Sequence, residues 1–120
     1  RLRTLVLESN KLGPAGGVSV AGWLGRMTGL ELLNLSDNRL GPDGGTAVCR
    51  ALAGLTRLHT LELGSNALGA SGGAAVGEGV AGLVSLRHLY LRSNGLGADG
   101  AAAAAAGSAS LPKLASVNLA

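Results

Sequence analysis

One spacing governs this chain: its residue types return every 28 positions. Leu2, Leu30, Leu58, Leu86 and Leu114 form one series. Leu5, Leu33, Leu61, Leu89 and Val117 form a second, and Leu7, Leu35, Leu63, Leu91 and Leu119 a third. Asn10, Asn38, Asn66 and Asn94 keep the same register, as do Leu12, Leu40, Leu68 and Leu96. Two glycine series follow, Gly13, Gly41, Gly69 and Gly97, then Gly16, Gly44, Gly72 and Gly100. A unit this short cannot bury its own apolar face, so stability has to come from stacking each unit on the next. The chain then divides as one domain, residues 1–120, into repeats 2–29, 30–57, 58–85 and 86–113 with a partial repeat at 114–120.

Each unit carries its own structural instructions. Thr4-Leu5-Val6-Leu7-Glu8 alternates core and non-core positions at period two, the pattern of a short strand. Gly13-Pro14, Gly41-Pro42, Gly69-Ala70 and Gly97-Ala98 mark a turn after it. Asp43, Ser71 and Asp99 stand where a helix N-cap is expected, with Ala15 in that place in the first unit. The helices are expected over 16–26, 44–53, 72–80 and 100–108. Val20 with Leu24, Val48 with Leu52, and Val76 with Val80 lie four apart and form an apolar stripe. The fourth helix replaces that stripe with Ala104 and Ser108, so its packing is expected to be thinner and its last turn frayed.

Strand, crossover helix and next parallel strand join with right-handed connections. Repeated, the unit predicts an α/β right-handed curved solenoid. Its parallel sheet lies on the concave face and its helices on the convex face, because a helix is wider (roughly 10 Å) than a strand spacing (about 4.8 Å). The absence of Phe, with Trp23 and Tyr90 the only aromatics, suits thin layers of Leu, Val and Ala. The asparagines have a structural role in this scheme. An amide both donates and accepts, so Asn10, Asn38, Asn66 and Asn94 are expected to satisfy backbone groups in the turns below the sheet.

These columns resemble the leucine-rich repeat family, in its ribonuclease-inhibitor-like subtype. The second unit shows the motif in Leu30, Leu33, Leu35, Asn38, Leu40 and Gly41. The resemblance implies recognition of a protein through the concave face and the loops beside it, in the cytoplasm. It also admits two alternatives: a regulator of a GTPase, similar to the Ran GTPase activators, or a sensing or spacer segment of a NOD-like receptor. The chain begins with Arg and ends in a strand-like segment, so it is expected to be an excerpt of a longer protein with further repeats or capping units.

Chemistry for catalysis is not visible. The glycine pairs recur with the repeat and no Lys-Ser or Lys-Thr follows them, which removes a phosphate-cradling loop. His59 and His88 are the only histidines, both expected in solvent, and with one Cys they predict no metal site and no cofactor. Cys49 reads as a packed thiol, and a single Cys suits a reducing compartment. The net charge is +3 and only 14% of residues are charged, with Lys and Arg scattered singly; neither nucleic acid nor membrane is the expected partner. The longest apolar stretch, 100–111, is far short of the roughly 20 residues a spanning helix needs.

What remains is the concave face, where three columns are expected. They run Thr4, Leu32, Thr60, His88, Ser116; then Val6, Asn34, Glu62, Tyr90, Asn118; then Glu8, Ser36, Gly64, Arg92, Ala120. The fourth unit gathers Arg87, His88, Tyr90 and Arg92, and Tyr and Arg are enriched at interface hot spots. These four, with Glu62 and Asn34, are the candidate binding residues. Glu31 and Asp37 make the second unit acidic, so the face is expected to carry opposite charge at its two ends.

Overall fold

The computed structural model describes residues 2–120 and shows five strands alternating with four helices. The strands are β1 Thr4–Val6, β2 Leu32–Asn34, β3 Thr60–Glu62, β4 His88–Tyr90 and β5 Ser116–Asn118. They form one parallel sheet in chain order, and each residue pairs with the one 28 positions on: Leu5 with Leu33, Leu33 with Leu61, Leu61 with Leu89, Leu89 with Val117. The helices are α1 Gly13–Leu24, α2 Gly41–Ala51, α3 Gly69–Val80 and α4 Gly97–Ser108. They pack side by side in the same order, on the other side of the leucine layer. The expected α/β solenoid is therefore present.

Each helix starts three residues earlier than the sequence pattern suggests. The glycine opening each one has φ +68°, a left-handed turn that costs glycine nothing and lets the helix begin at once. The Gly16 amide already donates to the Leu12 carbonyl at 3.0 Å, and Pro14 and Pro42 occupy first-turn positions where their missing N–H is no loss. Asp43, Ser71 and Asp99 consequently fall inside the first turn rather than ahead of it, and no side chain caps any of the four helices. Asp43 and Asp99 still place negative charge at the positive end of the helix dipole.

The core is a stack of leucine layers. Leu33, Leu35, Leu61, Leu63, Leu89 and Leu91 from the strand segments are completely buried, as are Leu24, Val48, Leu52, Val76 and Val80 from the helix side. A further column, Leu55, Leu83 and Leu111, closes each unit before its return to the sheet and is also buried. In the first layer Leu5, Leu7 and Leu12 are only partly buried. Trp23 is left 40% exposed near the end of α1.

The fourth helix is neither frayed nor distorted. It runs twelve residues, buries Ala104 and Ser108, and its Ser108 hydroxyl donates back to the Ala104 carbonyl at 3.0 Å. Alanine is the best helix former, and its small side chain lets α4 lie closer to α3 instead of packing thinly. The approach is so close that a Cβ on Gly107 would overlap the Gly77 backbone.

The asparagine column forms a ladder through the turns. Asn66 Nδ2 donates to the carbonyl of Leu63 in its own repeat at 3.0 Å and to that of Leu35 in the preceding repeat at 2.9 Å. Its Oδ1 accepts the Asn38 amide at 2.9 Å. Asn38 and Asn94 repeat the arrangement, and all three are buried. The Asn10 side chain bonds only its own turn, from Nδ2 to the Leu7 and Glu8 carbonyls, while its backbone amide donates to Asn38 Oδ1 at 2.8 Å. Around this ladder the backbone turns left-handed at residues that are not glycine: Ser9, Lys11, Asp37, Arg39, Ser65, Ala67 and Ser93 all have φ between 52° and 60°.

Candidate functional site: the concave sheet face

Strand alternation sends one side chain of each strand into the leucine layer and the two beside it to the open face. The register places Thr4, Leu32, Thr60, His88 and Ser116 in one row and Val6, Asn34, Glu62, Tyr90 and Asn118 in the next. These are two of the expected columns. Leu89 of β4 is buried between them, while His88 and Tyr90 are half-buried on the open side.

On β4 the His88 and Tyr90 rings stand parallel, their centroids 6.1 Å apart and their planes within 1°. Two residues along a strand are about 6.6 Å apart, so the spacing of the rings is essentially that of the backbone beneath them. His88 Nδ1 lies 2.7 Å from the Ser116 hydroxyl on β5, which holds the ring upright. Neither histidine is fully in solvent, contrary to the sequence expectation: His59 sits half-buried beside the strand and His88 packs into the row.

Beside Tyr90 a shallow cleft of about 430 Å³ opens over Gly64, bounded by Glu8, Asp37, Glu62, Tyr90, Arg92 and Asn118. Gly64 leaves a gap in its column, and the Arg92 side chain occupies it: a Cβ on Gly64 would come within 3.4 Å of Arg92 Cγ. The stem of Arg92 thus lies across the sheet toward the third repeat while the residue as a whole stays exposed.

Of the six candidate residues, Tyr90, Arg92 and Glu62 meet at this cleft and His88 stands next to it. Arg87 is exposed at the flank, ahead of β4. Asn34 is a different case. It is buried, its Nδ2 donates to Glu8 Oε1 at 2.8 Å, and its Oδ1 accepts the Ser36 amide at 3.0 Å. Its polar atoms are therefore spent inside the protein, and its effect on the face is to hold the Glu8 carboxylate in place. Asp37 is held likewise by the Ser9 hydroxyl at 2.9 Å. The carboxylates Glu8 and Asp37 and the gap at Gly64 were not among the six. Glu8 stands two repeats from Gly64 in the column the repeat already assigns, whereas Asp37, one repeat away and outside that column, reaches the cleft in a way only the assembled sheet shows.

Cys49 lies on α2, away from this face, and is buried. Burial penalises the thiolate and pushes the thiol up from 9.0 to about 12, so it is a packing group, as the sequence suggests. Among the described residues no group of His, Cys, Asp and Glu is arranged to hold a metal ion, and no helix is long and apolar enough to cross a membrane.

A family model described as Leucine Rich repeat matches residues 2–21, 28–49, 55–77 and 82–103, one stretch in each full unit. The chain belongs to the leucine-rich repeat family. No curated protein matches it. Leucine-rich repeats are generally protein–protein interaction modules and typically not catalytic, and stacked repeats of this kind present extended concave surfaces to their ligands.

Proposed function

We propose that this chain is a non-catalytic scaffold of the ribonuclease-inhibitor-like subtype, acting in the cytoplasm and binding a protein partner through its concave face. The 28-residue repeat and the full helix in every unit support the subtype. The lone, buried thiol of Cys49 fits a reducing compartment. The observation that carries the reading is the row of β4. There an aromatic pair, held upright by Ser116, stands beside an exposed arginine over a gap in the sheet. Rigid aromatics give large contact at little entropic cost, and tyrosine and arginine are enriched among the residues that dominate binding energy at interfaces. Tyr90, Arg92 and Glu62 are the contact residues in this reading, with His88 and Arg87 at its edge.

The test is affinity capture from a cytoplasmic extract with the wild-type chain and with Tyr90→Ala, Arg92→Ala. Loss of the captured proteins by the double variant is the expected result, with a convex-face control, Arg50→Ala, retaining them. An unchanged set of captured proteins would overturn the concave-site reading.

A further inference from the structure

Of the six asparagines in the chain, Asn94 is the one followed by glycine. Asparagine is thermolabile because the next backbone nitrogen attacks its side-chain carbonyl, and glycine, with no side chain, leaves that attack unhindered. In the other three turns of the ladder the next residues are Lys11, Arg39 and Ala67, whose side chains obstruct it. Gly95 is exposed, with φ +61°, and among the described residues its amide has no hydrogen-bond acceptor. The attacking nitrogen is therefore free, but its target is not. Asn94 is buried, and its Nδ2 donates to the Leu63 carbonyl at 2.9 Å and the Leu91 carbonyl at 2.8 Å. Its Oδ1 accepts the Asn66 amide at 2.8 Å. All three partners precede Asn94, so the carboxamide is turned back along the chain, and ring closure toward Gly95 has to break these bonds first.

From this juxtaposition we infer that Asn94–Gly95 is a self-modification site, which converts slowly when the fourth turn opens. The Gly95 nitrogen attacks Asn94 Cγ: an N–Cγ bond forms, the Cγ–Nδ2 bond breaks, and ammonia leaves with the proton of the Gly95 amide. Solvent water then opens the cyclic imide at either carbonyl, giving aspartate or isoaspartate, and no electrons are exchanged. Either product breaks the ladder at this repeat. A carboxylate cannot donate, so the Leu91 carbonyl loses its side-chain donor and that of Leu63 keeps only Asn66 Nδ2. Isoaspartate also lengthens the backbone of the turn. The junction between β3 and β4 loosens as a result, and with it the row that carries His88 and Tyr90. Because the ammonia is lost to solvent, the fourth repeat records how long its turn has spent open.

The experiment incubates the whole chain in heavy-oxygen water, folded in neutral buffer or unfolded in urea, and maps the incorporated oxygen by peptide mass spectrometry. Label is expected at Asn94, split between aspartate and isoaspartate, before any appears at Asn10, Asn38 or Asn66. Conversion in the folded chain should be slower than in urea by about tenfold or more, since the turn has to open. Gly95→Ala keeps the fold, because Ala67 holds the equivalent position at φ 54°, and should lose most of the label in both states. In the aged chain the amides of Leu63 and Leu91, which donate to the Tyr90 and Asn118 carbonyls, should exchange hydrogen faster, with that of Leu7 unchanged. A folded chain in which Asn94 stays unlabelled, or is labelled no sooner than the other three, would overturn the site. Equal rates in buffer and urea would overturn its protection by the ladder, and undiminished label in Gly95→Ala would overturn the attack by Gly95. Unchanged exchange at Leu63 and Leu91 after conversion would overturn the loosening of the fourth repeat.

Discussion

Asn66 joins two repeats through one side chain, and its removal exposes the logic of the turns. Asn66→Ala removes the acceptor of the buried Asn38 amide and one of the two side-chain donors at each of the Leu35 and Leu63 carbonyls, which keep Asn38 Nδ2 and Asn94 Nδ2. A buried polar group left unpaired costs about 1–3 kcal/mol, so a loss in that range is expected in urea unfolding. Asn10→Ala, at an exposed turn, should cost less than about 1 kcal/mol by the same measurement. This role was legible because all four asparagines keep one register. The left-handed residues around them were not, since Lys11, Arg39 and Ala67 are types that avoid positive φ. The hydrogen bonds of the ladder hold the chain there against local preference. Cys49 offers a pH test at the same scale. Its thiol is raised from 9.0 to about 12 in the fold, so the folded state favours the protonated form. The resulting stabilisation is complete below pH 9.0 and is lost as pH climbs toward about 12. Unfolding midpoints should fall over that window, and more steeply than in Cys49→Ala; parallel pH profiles for the two proteins would contradict the assignment.

Among the elements, the helices depart most from sequence expectation, and glycine is the reason in two senses. The glycine that starts each helix works by its positive φ, which no residue pattern around it announces; hence the start was misplaced by a turn. The glycines inside α3 and α4 work by having no side chain, and their effect depends on a neighbouring helix that a single repeat does not show. Gly107→Ala and Gly22→Ala separate the two situations. Both replace glycine with a better helix former, a gain of up to about 1 kcal/mol. A Cβ on Gly22 meets nothing within 4 Å, so that variant is expected to melt a few degrees higher. A Cβ on Gly107 meets the Gly77 backbone, so that variant should melt several degrees lower, overpacking costing about 1–3 kcal/mol. Higher melting by both would contradict the backbone contact between α3 and α4.

Across the whole molecule, the sheet topology and the leucine layers were legible because the period alone assigns every column. The cleft was only partly legible: periodicity puts Glu62 in the row of Tyr90 and Glu8 in that of Arg92, but does not show that Asp37 shares their space. The layers also predict uneven stability. Leu33→Ala removes a fully buried side chain between two neighbours and should cost about 3 kcal/mol or more. Leu5→Ala, in a partly buried layer, should cost markedly less in the same denaturation experiment. The central functional claim, a partner seated on the sheet, is tested most directly by hydroxyl-radical oxidation of the chain alone and with a captured partner. Tyr90 and His88 report on the concave face, and the 40%-exposed Trp23 reports on α1. With the partner seated on the sheet, oxidation of Tyr90 and His88 is expected to fall several-fold while that of Trp23 is unchanged. Protection of Trp23 with Tyr90 and His88 still fully reactive would contradict it.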